Sequence, residues 1–362
     1  MVKEFLEKKK QKLFSGILLL FLFLLPITLL LSFLKLEVPF IVCLFVLGVI
    51  LLVEGADWVV YTATHFARKF GIPPLIIGLF FVAVFSSVPE FAVILYAIAT
   101  GHSTLALATM IGSTIATIGL VLGLSAMIVP LQIRSFTVLL EAPFLLLAAV
   151  VVFVLSFRLF DFGSSQYVLG KIDGVIMILF FLMFLAYTWK YTVVHESKRV
   201  ENEYKQEFGK GLIPILRALF VFIVGIIAVS IGAKFVVSTS IGLANIFGMS
   251  EATVGLTLVA VGTVLPELVI SLVGLFKKEY DLVVGNILGS NIITLLFIGG
   301  VAALLGPIKV DVHLLFIDMV FLILYASIFQ IFITSNKTIS RKEGIILFGV
   351  YVVYFLYTLI LT

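Results

Sequence analysis

Apolar residues in this chain fall into blocks of about 20 residues, the length of helix that crosses the hydrocarbon layer of a bilayer. The chain is 62% hydrophobic and 12% charged, whereas a soluble domain carries about 25% charged residues. The pattern predicts an all-α polytopic membrane protein of about eleven transmembrane helices. The predicted spans are 14–34, 39–64, 73–99, 104–128, 136–157, 172–192, 213–238, 251–276, 282–305, 312–334 and 344–361.

Basic residues are concentrated in alternate loops, which predicts the orientation of the chain. Of the 24 Lys and Arg residues, 18 lie on the side of the N-terminus and four in loops on the other side. Because cytoplasmic loops carry the excess of Lys and Arg, we expect the N-terminus to be cytoplasmic and the C-terminus to lie on the opposite side. This bias also explains the net charge of +4. A nucleic-acid partner would need a basic face on a water-soluble domain, and we expect none.

The two halves of the chain repeat one another at an offset of 177 residues. Pro89-Glu90 recurs as Pro266-Glu267, and Gly112-Ser113 recurs as Gly289-Ser290. The register continues without a gap from about 55–130 to 232–307. Each copy holds five spans, an odd number, so the second copy enters the membrane with opposite polarity. This is the inverted-repeat plan of secondary transporters, whose substrate site lies near the midplane between the copies.

The repeat divides the chain into four segments. The mixed-charge stretch that begins at His195 contains few apolar residues and is typical of a cytoplasmic linker. We predict an N-terminal basic segment with one extra helix (1–36), a first five-helix repeat (37–193), the linker (194–212) and a second five-helix repeat (213–362).

Glu90 and Glu267 lie deep in predicted spans, where an ionisable residue is costly and by default functional. Each follows a proline, which cannot donate to the carbonyl four residues earlier and therefore bends the helix. Each also lies four residues after a hydroxyl, on the same helix face; these hydroxyls belong to Ser86 and Thr263. Such oxygens are the ligands that Ca²⁺ prefers, and two carboxylates neutralise one divalent ion.

A second set of polar residues lies on the helix that follows in each copy. Thr117 and Thr294 are equivalent under the offset, and each lies four residues after the serine of its Gly-Ser pair. The glycines allow close helix approach. Hydroxyls in spans also commonly bond to their own backbone, so a binding role and a structural role both remain open for these residues.

These motifs resemble those of the cation/calcium exchanger superfamily, whose paired alpha repeats carry a Gly-Thr-Ser-x-Pro-Glu element and a Gly-Ser-Asn element. The second half has Gly262-Thr263-Val264-Leu265-Pro266-Glu267 and a segment from Gly285-Asn286 to Gly289-Ser290-Asn291. The first half has the looser Phe85-Ser86-Ser87-Val88-Pro89-Glu90 and Ile111-Gly112-Ser113-Thr114.

The resemblance implies roles for individual residues. Glu90 and Glu267 would be the calcium ligands, joined in the metal site by Ser86, Thr263 and the backbone of Ala83 and Ala260. The counter-ion and second-helix site would comprise Ser87, Ser113, Thr117, Ser290, Thr294 and Asn291.

Departures from the family pattern bear on the counter-ion. Thr117 and Thr294 stand where sodium/calcium exchangers usually have Asn or Asp, and Val264 stands where a serine is expected. Several sodium ions would need more oxygen ligands than remain, whereas two protons need only the two glutamates. Ligand counting therefore favours H⁺, while the Pro-Glu motif itself is more typical of sodium-coupled members.

Asp57 and Lys234 are also equivalent under the offset and carry opposite charges. One hypothesis is that they pair as a gating latch between equivalent helices. The alternative is that each side chain snorkels separately to water. Glu54 is a further candidate for the cytoplasmic half of an ion pathway.

These observations favour an antiporter that exchanges Ca²⁺ for H⁺ or Na⁺, with these ions as substrates and no cofactor. A passive cation channel is a second reading, although channels usually present rings of equivalent groups across subunits. An intramembrane enzyme is a third, but the chain has no nucleophile–His pair, and we expect no enzymatic activity. The oligomeric state cannot be read from the sequence.

Overall fold

The computed structural model describes residues 37–70, 76–99, 101, 103–132, 138–157, 167–188, 190, 214–246, 260–310, 314–336 and 338–361. The predicted extra helix at 14–34 and the linker at 194–212 lie outside the described residues. The described chain is mostly helical. Helices satisfy their own backbone hydrogen bonds and can therefore cross a hydrocarbon layer.

We number the elements in chain order. The helices are α1 (Glu37–Phe70), α2 (Ile77–Ser86), α3 (Val88–Ala99), α4 (103–128), α5 (Val138–Leu155), α6 (Lys171–Thr188), α7 (Ile215–Ile246), α8 (Ala260–Thr263), α9 (Leu265–Phe276), α10 (Tyr280–Leu305), α11 (314–336) and α12 (Arg341–Leu361). The strands are β1 (Leu131–Gln132), β2 (Val168–Leu169), β3 (Ile308–Lys309) and β4 (Thr338–Ile339). Four stretches within the helices are π-helical: Ile77–Val82, Thr117–Gly123, Ile293–Ile298 and Leu314–Asp318.

Six stretches of the described helices are long and apolar enough to cross a membrane, which makes this an integral, multi-pass membrane protein. They are Pro39–Ala63, Ala106–Ile128, Lys171–Thr188, Ile215–Gly232, Tyr280–Leu305 and Phe316–Thr334. In the 18-residue apolar window of each stretch, 83% of the α10 residues and 72% of the α4 residues are buried, against 28% for α1. Among the described residues, α4 and α10 are therefore the most buried of these helices, and α1 is the least buried.

Two predicted spans, 73–99 and 251–276, are broken rather than merely bent. The first is divided at Ser87 and the second at Val264. In each case the proline falls near the start of the second piece, where its missing N–H costs no hydrogen bond. The sequence predicted a bend at these prolines, and the structure places a one-residue interruption two residues before each of them.

The long helices α1 and α7 pack against each other through glycines. A Cβ atom on Gly55 would lie 2.7 Å from the carbonyl oxygen of Gly225, and a Cβ atom on Gly232 would lie 2.7 Å from that of Gly48. Residue numbers rise along α1 as they fall along α7, so the two helices run antiparallel. Under the 177-residue offset, Gly48 is equivalent to Gly225 and Gly55 is equivalent to Gly232. Each contact therefore joins one glycine to the counterpart of the other. Two equivalent helices thus contact each other through equivalent small residues.

The same offset relates other elements. It carries the bounds of α3 onto α9, those of α4 onto α10, and those of β1 onto β3. The π-helical stretches of α4 and α10 also overlap under it. The sequence repeat is therefore accompanied by a repeat of local structure.

Two short antiparallel ladders join the halves of the chain. β1 pairs with β4, with Leu131 opposite Ile339, and β2 pairs with β3, with Val168 opposite Lys309. Paired strands must lie on the same side of the membrane, so an even number of crossings separates them. Six predicted spans lie between β1 and β4 and four between β2 and β3, in agreement with the predicted alternation.

Candidate cation site

The two helix breaks create matching surroundings for Glu90 and Glu267. α2 ends at Ser86, and Ser87 adopts a turn conformation (φ −81°, ψ 7°) before α3 begins. α8 ends at Thr263, and Val264 adopts nearly the same conformation (φ −92°, ψ 1°) before α9 begins. Each glutamate lies in the first turn of the helix that follows. Helix N-termini carry positive partial charge, which favours a carboxylate at this position.

Both carboxylates are buried, with Glu90 only 3% and Glu267 only 1% exposed. They lie within electrostatic reach of each other. Within the described part of the chain, Oε2 of Glu90 and both carboxylate oxygens of Glu267 have no hydrogen-bond partner. Burying an unpaired ionised carboxylate costs several kcal/mol. Each group must therefore be protonated or balanced by a cation.

The break in each copy packs against the central helix of the other copy. The end of α2 (Ala83–Ser86) contacts α10, and α8 contacts α4. Gly289 permits the first contact, because a Cβ there would lie 2.7 Å from the Cβ of Ala83 and would overlap the carbonyl oxygen of Leu79. This arrangement brings the predicted metal ligands of one copy next to the predicted second-helix residues of the other.

The predicted hydroxyl ligands on the break helices are buried. Ser86 is 2%, Ser87 1% and Thr263 7% exposed. The Ser86 side chain lies beside the carboxylate of Glu267, although it forms no hydrogen bond of normal geometry with either oxygen. The hydroxyl of Ser87 has no partner among the residues that the structure describes. A hydroxyl of the first copy thus adjoins the carboxylate of the second.

Three of the predicted hydroxyls on α4 and α10, those of Ser113, Thr117 and Ser290, bond to their own backbone while remaining buried. Ser113 donates to the carbonyl of Met110 at 3.3 Å, and Thr117 donates to the carbonyl of Ser113 at 2.8 Å. Ser290 donates to the carbonyl of Ile287 at 3.2 Å. A hydroxyl that donates its proton keeps two lone pairs. These hydroxyls therefore bond to their own backbone, which is the structural role considered above, and their oxygens can still bind a cation.

Thr117 and Thr294 both lie in π-helical stretches. Thr117 is the first residue of Thr117–Gly123, and Thr294 is the second residue of Ile293–Ile298. Single π-helical turns within α-helices frequently mark functional sites. Asn291 lies one turn before Thr294 and is 2% exposed, and its amide nitrogen has no partner in the described ranges.

Two buried polar residues near the site were given no role by sequence reasoning: Asn286, which was quoted only as part of a motif, and Ser271, which was not singled out. Asn286 is fully buried on α10, and its amide oxygen accepts a hydrogen bond of 3.2 Å from Ser86. Ser271 is fully buried one turn after Glu267. Their spacing, four residues from Ser290 and Glu267 respectively, was the available signal. The repeat comparison concealed both, because the equivalent positions hold Thr109 and Ile94.

The predicted pair of Asp57 with Lys234 is not the one that forms. Asp57 pairs with Lys277, with 2.8 Å between Oδ1 and Nζ, whereas the side chain of Lys234 is exposed. The antiparallel register sets Gly55 level with Gly225, so Asp57 lies about 11 residues, roughly 16 Å, from Lys234 along α7. Glu54 is half-buried within electrostatic reach of Asp57 and Lys277.

The donor set suits a hard cation. The described ranges contain no cluster of three or more His, Cys, Asp or Glu side chains that could hold a metal ion. An ion here would be held by two carboxylates together with hydroxyl and carbonyl oxygens. That mixture matches the preferences of Ca²⁺ rather than those of a transition metal.

Comparisons with known proteins agree with this geometry. The model of a family described as "Sodium/calcium exchanger protein" matches residues 40–190 and 217–360. The inner membrane protein YrbG of Escherichia coli is 33% identical over 323 residues, which cover 86% of this chain and 94% of YrbG. The sodium/calcium exchanger MaX1 of Methanosarcina acetivorans is 29% identical over 340 residues, covering 85% of this chain and 95% of MaX1.

A solved structure is also similar. The sodium-calcium exchanger NCX_Mj, in crystals soaked with Na⁺ and Sr²⁺, matches with a TM-score of 0.72 and 29% identity, covering 86% of this chain and 96% of NCX_Mj. The gap between the two segments of the family match, at 191–216, contains the predicted linker at 194–212.

Proposed function

The chain belongs to the sodium/calcium exchanger protein family, and we propose that it is an antiporter that exchanges Ca²⁺ for a monovalent cation by alternating access. The observation that carries this proposal is the pair of buried carboxylates, Glu90 and Glu267, at matching helix breaks and with unpartnered oxygens. MaX1 and NCX_Mj, which resemble this chain, are named as sodium/calcium exchangers.

The architecture we propose has eleven transmembrane helices, namely one extra N-terminal helix and two inverted five-helix repeats. The N-terminus would be cytoplasmic and the C-terminus would lie on the other side. Three observations support it: the recurring 177-residue offset, the antiparallel packing of α1 on α7, and the pairing of strands separated by even numbers of predicted spans.

The ion site would have two carboxylates and a shell of neutral oxygens. Glu90 and Glu267 would balance the charge of Ca²⁺. The neutral oxygens would come from the hydroxyls of Ser86, Thr263, Ser113 and Ser290 and from the carbonyls of Ala83 and Ala260. Without Ca²⁺ the site would contain two neighbouring buried negative charges, each costing several kcal/mol. The carrier would therefore return only after other cations neutralise the pair, which makes the exchange obligatory.

For the counter-ion we propose H⁺. Two protons neutralise the two carboxylates without further ligands. Several Na⁺ ions would need additional oxygens, and Val264, Thr117 and Thr294 supply fewer than sodium-coupled members of the family usually have. The alternative is Na⁺, which the family match and the names of MaX1 and NCX_Mj favour.

This proposal differs from a passive channel and from an enzyme in what it requires. A carrier needs a closed site within one chain, and the paired breaks supply one. It also needs no bond to be broken, so the ions are substrates rather than cofactors. Calcium flux that continued without any counter-ion on the far side would identify a channel instead.

The test is Ca²⁺ uptake into proteoliposomes that contain the purified protein, with an imposed proton gradient in one sample and an imposed sodium gradient in another. We expect uptake with the proton gradient, and we expect Glu90→Gln and Glu267→Gln each to abolish it. Glu343→Gln is the matched control, because Glu343 caps α12 and a glutamine can serve in the same cap. Near-normal uptake by either site variant would refute the assignment of Glu90 and Glu267 as ligands. Uptake with the sodium gradient alone would identify Na⁺, and not H⁺, as the counter-ion.

A further inference from the structure

Asn286 is a fully buried amide on the central helix α10. It lies four residues before Ser290 and therefore on the same helix face. α2 approaches α10 closely at this level, since a Cβ on Gly78 would lie 3.0 Å from the backbone nitrogen of Asn286. Asn286 is thus next to the helix that ends at Ser86, in the opposite copy of the repeat.

The hydroxyl of Ser86 forms hydrogen bonds of normal geometry with two neutral acceptors and also lies beside the carboxylate of Glu267. Its oxygen lies 3.2 Å from Oδ1 of Asn286 and 3.3 Å from the carbonyl oxygen of Ala83. A hydroxyl has only one proton to donate. The two acceptors therefore compete for it.

The outcome of this competition decides which oxygens are left for an ion. The carbonyl of Ala83 already accepts the backbone N–H of Ser87 at 3.1 Å, and a carbonyl oxygen has two lone pairs. If Ser86 donates to Ala83, both lone pairs of that carbonyl are occupied. If Ser86 donates to Asn286, one lone pair of the Ala83 carbonyl remains available, and the two lone pairs of Ser86 are available in either case.

We propose that Asn286 is a positioning residue of the cation site, whose amide oxygen takes the proton of Ser86 and so leaves the carbonyl oxygen of Ala83 free to bind the ion beside the oxygen of Ser86. Asn286 acts through Ser86 and is not itself a ligand. This inference rests on the proposed function, because it assigns a role within the same site.

The arrangement belongs to one copy of the repeat. The residue equivalent to Asn286 is Thr109 on α4, and the residue equivalent to Ser86 is Thr263. The hydroxyl of a threonine sits directly on Cβ and reaches one bond less far than the oxygen of an asparagine amide. Thr109 is half-buried and supplies a matched position for a control substitution.

The test is a double-mutant cycle on purified protein in proteoliposomes, with the KM for Ca²⁺ and the maximal uptake rate measured separately. We expect Asn286→Ala to raise the KM roughly 3- to 10-fold, the size of one net hydrogen bond, with the maximal rate largely kept. In a Ser86→Ala background the same substitution should add nothing further. Thr109→Ala should leave the KM unchanged.

Two results would overturn the proposal: an unchanged KM in Asn286→Ala, or an effect of equal size with and without Ser86. The second result would assign Asn286 a structural role only, because a packing defect does not depend on the Ser86 hydroxyl. If Asn286→Ala does not fold, Asn286→Leu, which is close in volume, takes its place in the cycle.

The proposed function fails separately, through normal uptake by Glu267→Gln. An inactive Glu267→Gln together with an unchanged Asn286→Ala would reject the positioning role alone.

Discussion

Lys277, the first residue after α9, forms an ion pair with Asp57 of α1, with 2.8 Å between its Nζ and Oδ1 of Asp57. Its Nζ also donates to the carbonyl oxygen of Asp57 at 2.9 Å. The next residue, Lys278, has a φ of 61° and ends the helix in a left-handed turn. Glu267 lies ten residues earlier on α9, so this contact joins the helix that carries a site carboxylate to helix α1.

We expect the contact between Asp57 and Lys277 to bias the carrier toward the state described here. The pair is partly exposed, with 20% of the Lys277 side chain and 44% of the Asp57 side chain accessible, so it is worth about 1 kcal/mol or less. Lys277→Gln should therefore change the rate of exchange by no more than about fivefold without abolishing it. The charge-reversed double variant, Asp57→Lys with Lys277→Asp, should return the rate toward the original value.

Lys234→Gln is the matched control for this prediction. Its side chain is exposed and lies about a third of the length of α7 from the level of Asp57. If Lys234→Gln changed the rate as much as Lys277→Gln does, the result would support the pair predicted from the sequence, Asp57 with Lys234.

Protons should compete with Ca²⁺ for the cation site. Protons and Ca²⁺ would neutralise the same two carboxylates, Glu90 and Glu267, so lowering the pH on the side from which Ca²⁺ binds should raise the KM. Saturating Ca²⁺ should restore the rate, because competition leaves the maximal rate unchanged. Uptake measured over a range of Ca²⁺ concentrations at several pH values tests this, and a fall in maximal rate with constant KM would contradict it.

The packing of α1 on α7 should not tolerate a methyl group at its glycines. A Cβ on Gly55 would lie 2.7 Å from the backbone oxygen of Gly225, which cannot move independently of its helix. We expect Gly55→Ala to destabilise the protein by about 1–3 kcal/mol, seen as a lower midpoint of thermal unfolding in detergent. Gly349→Ala on α12 is the control, because a Cβ atom on that glycine would have no neighbour within 4 Å among the described residues. Equal midpoints for the two variants would show that the helices can separate at little cost.

The threonines of the π-helical stretches should control the choice of counter-ion. Thr117→Asn together with Thr294→Asp would install the residue types that sodium/calcium exchangers usually have at these positions. We expect the double variant to gain sodium-driven Ca²⁺ uptake relative to proton-driven uptake. Thr114→Asn is a control on the same helix. An unchanged ratio of the two activities would mean that these positions do not limit sodium binding.

The features that define the candidate site could be recognised in the sequence because they are local. A proline one residue before Glu90 or Glu267 interrupts its own helix wherever that helix packs, and the repeated motif makes the two positions equivalent. The hydroxyls of Ser86 and Thr263 follow from helical spacing alone.

Contacts between distant segments could not be predicted in the same way. Asp57 and Lys277 are 220 residues apart, and Ser86 and Asn286 are 200 residues apart. The offset of 177 identifies which residues are equivalent, but equivalent residues need not touch. In an antiparallel pair such as α1 and α7, equivalent positions move apart with distance from the crossing point. That geometry separated Asp57 from Lys234, and only the register of the packed helices could reveal it.

The two strand ladders can form only after the second half of the chain has been synthesised. β1 and β2 are synthesised long before β4 and β3, so both strands lack their partners until the second half of the chain is made. If the first half were expressed alone, β1 and β2 would remain unpaired and could pair with strands of other chains. A truncation before Thr338 would therefore leave β1 without its partner.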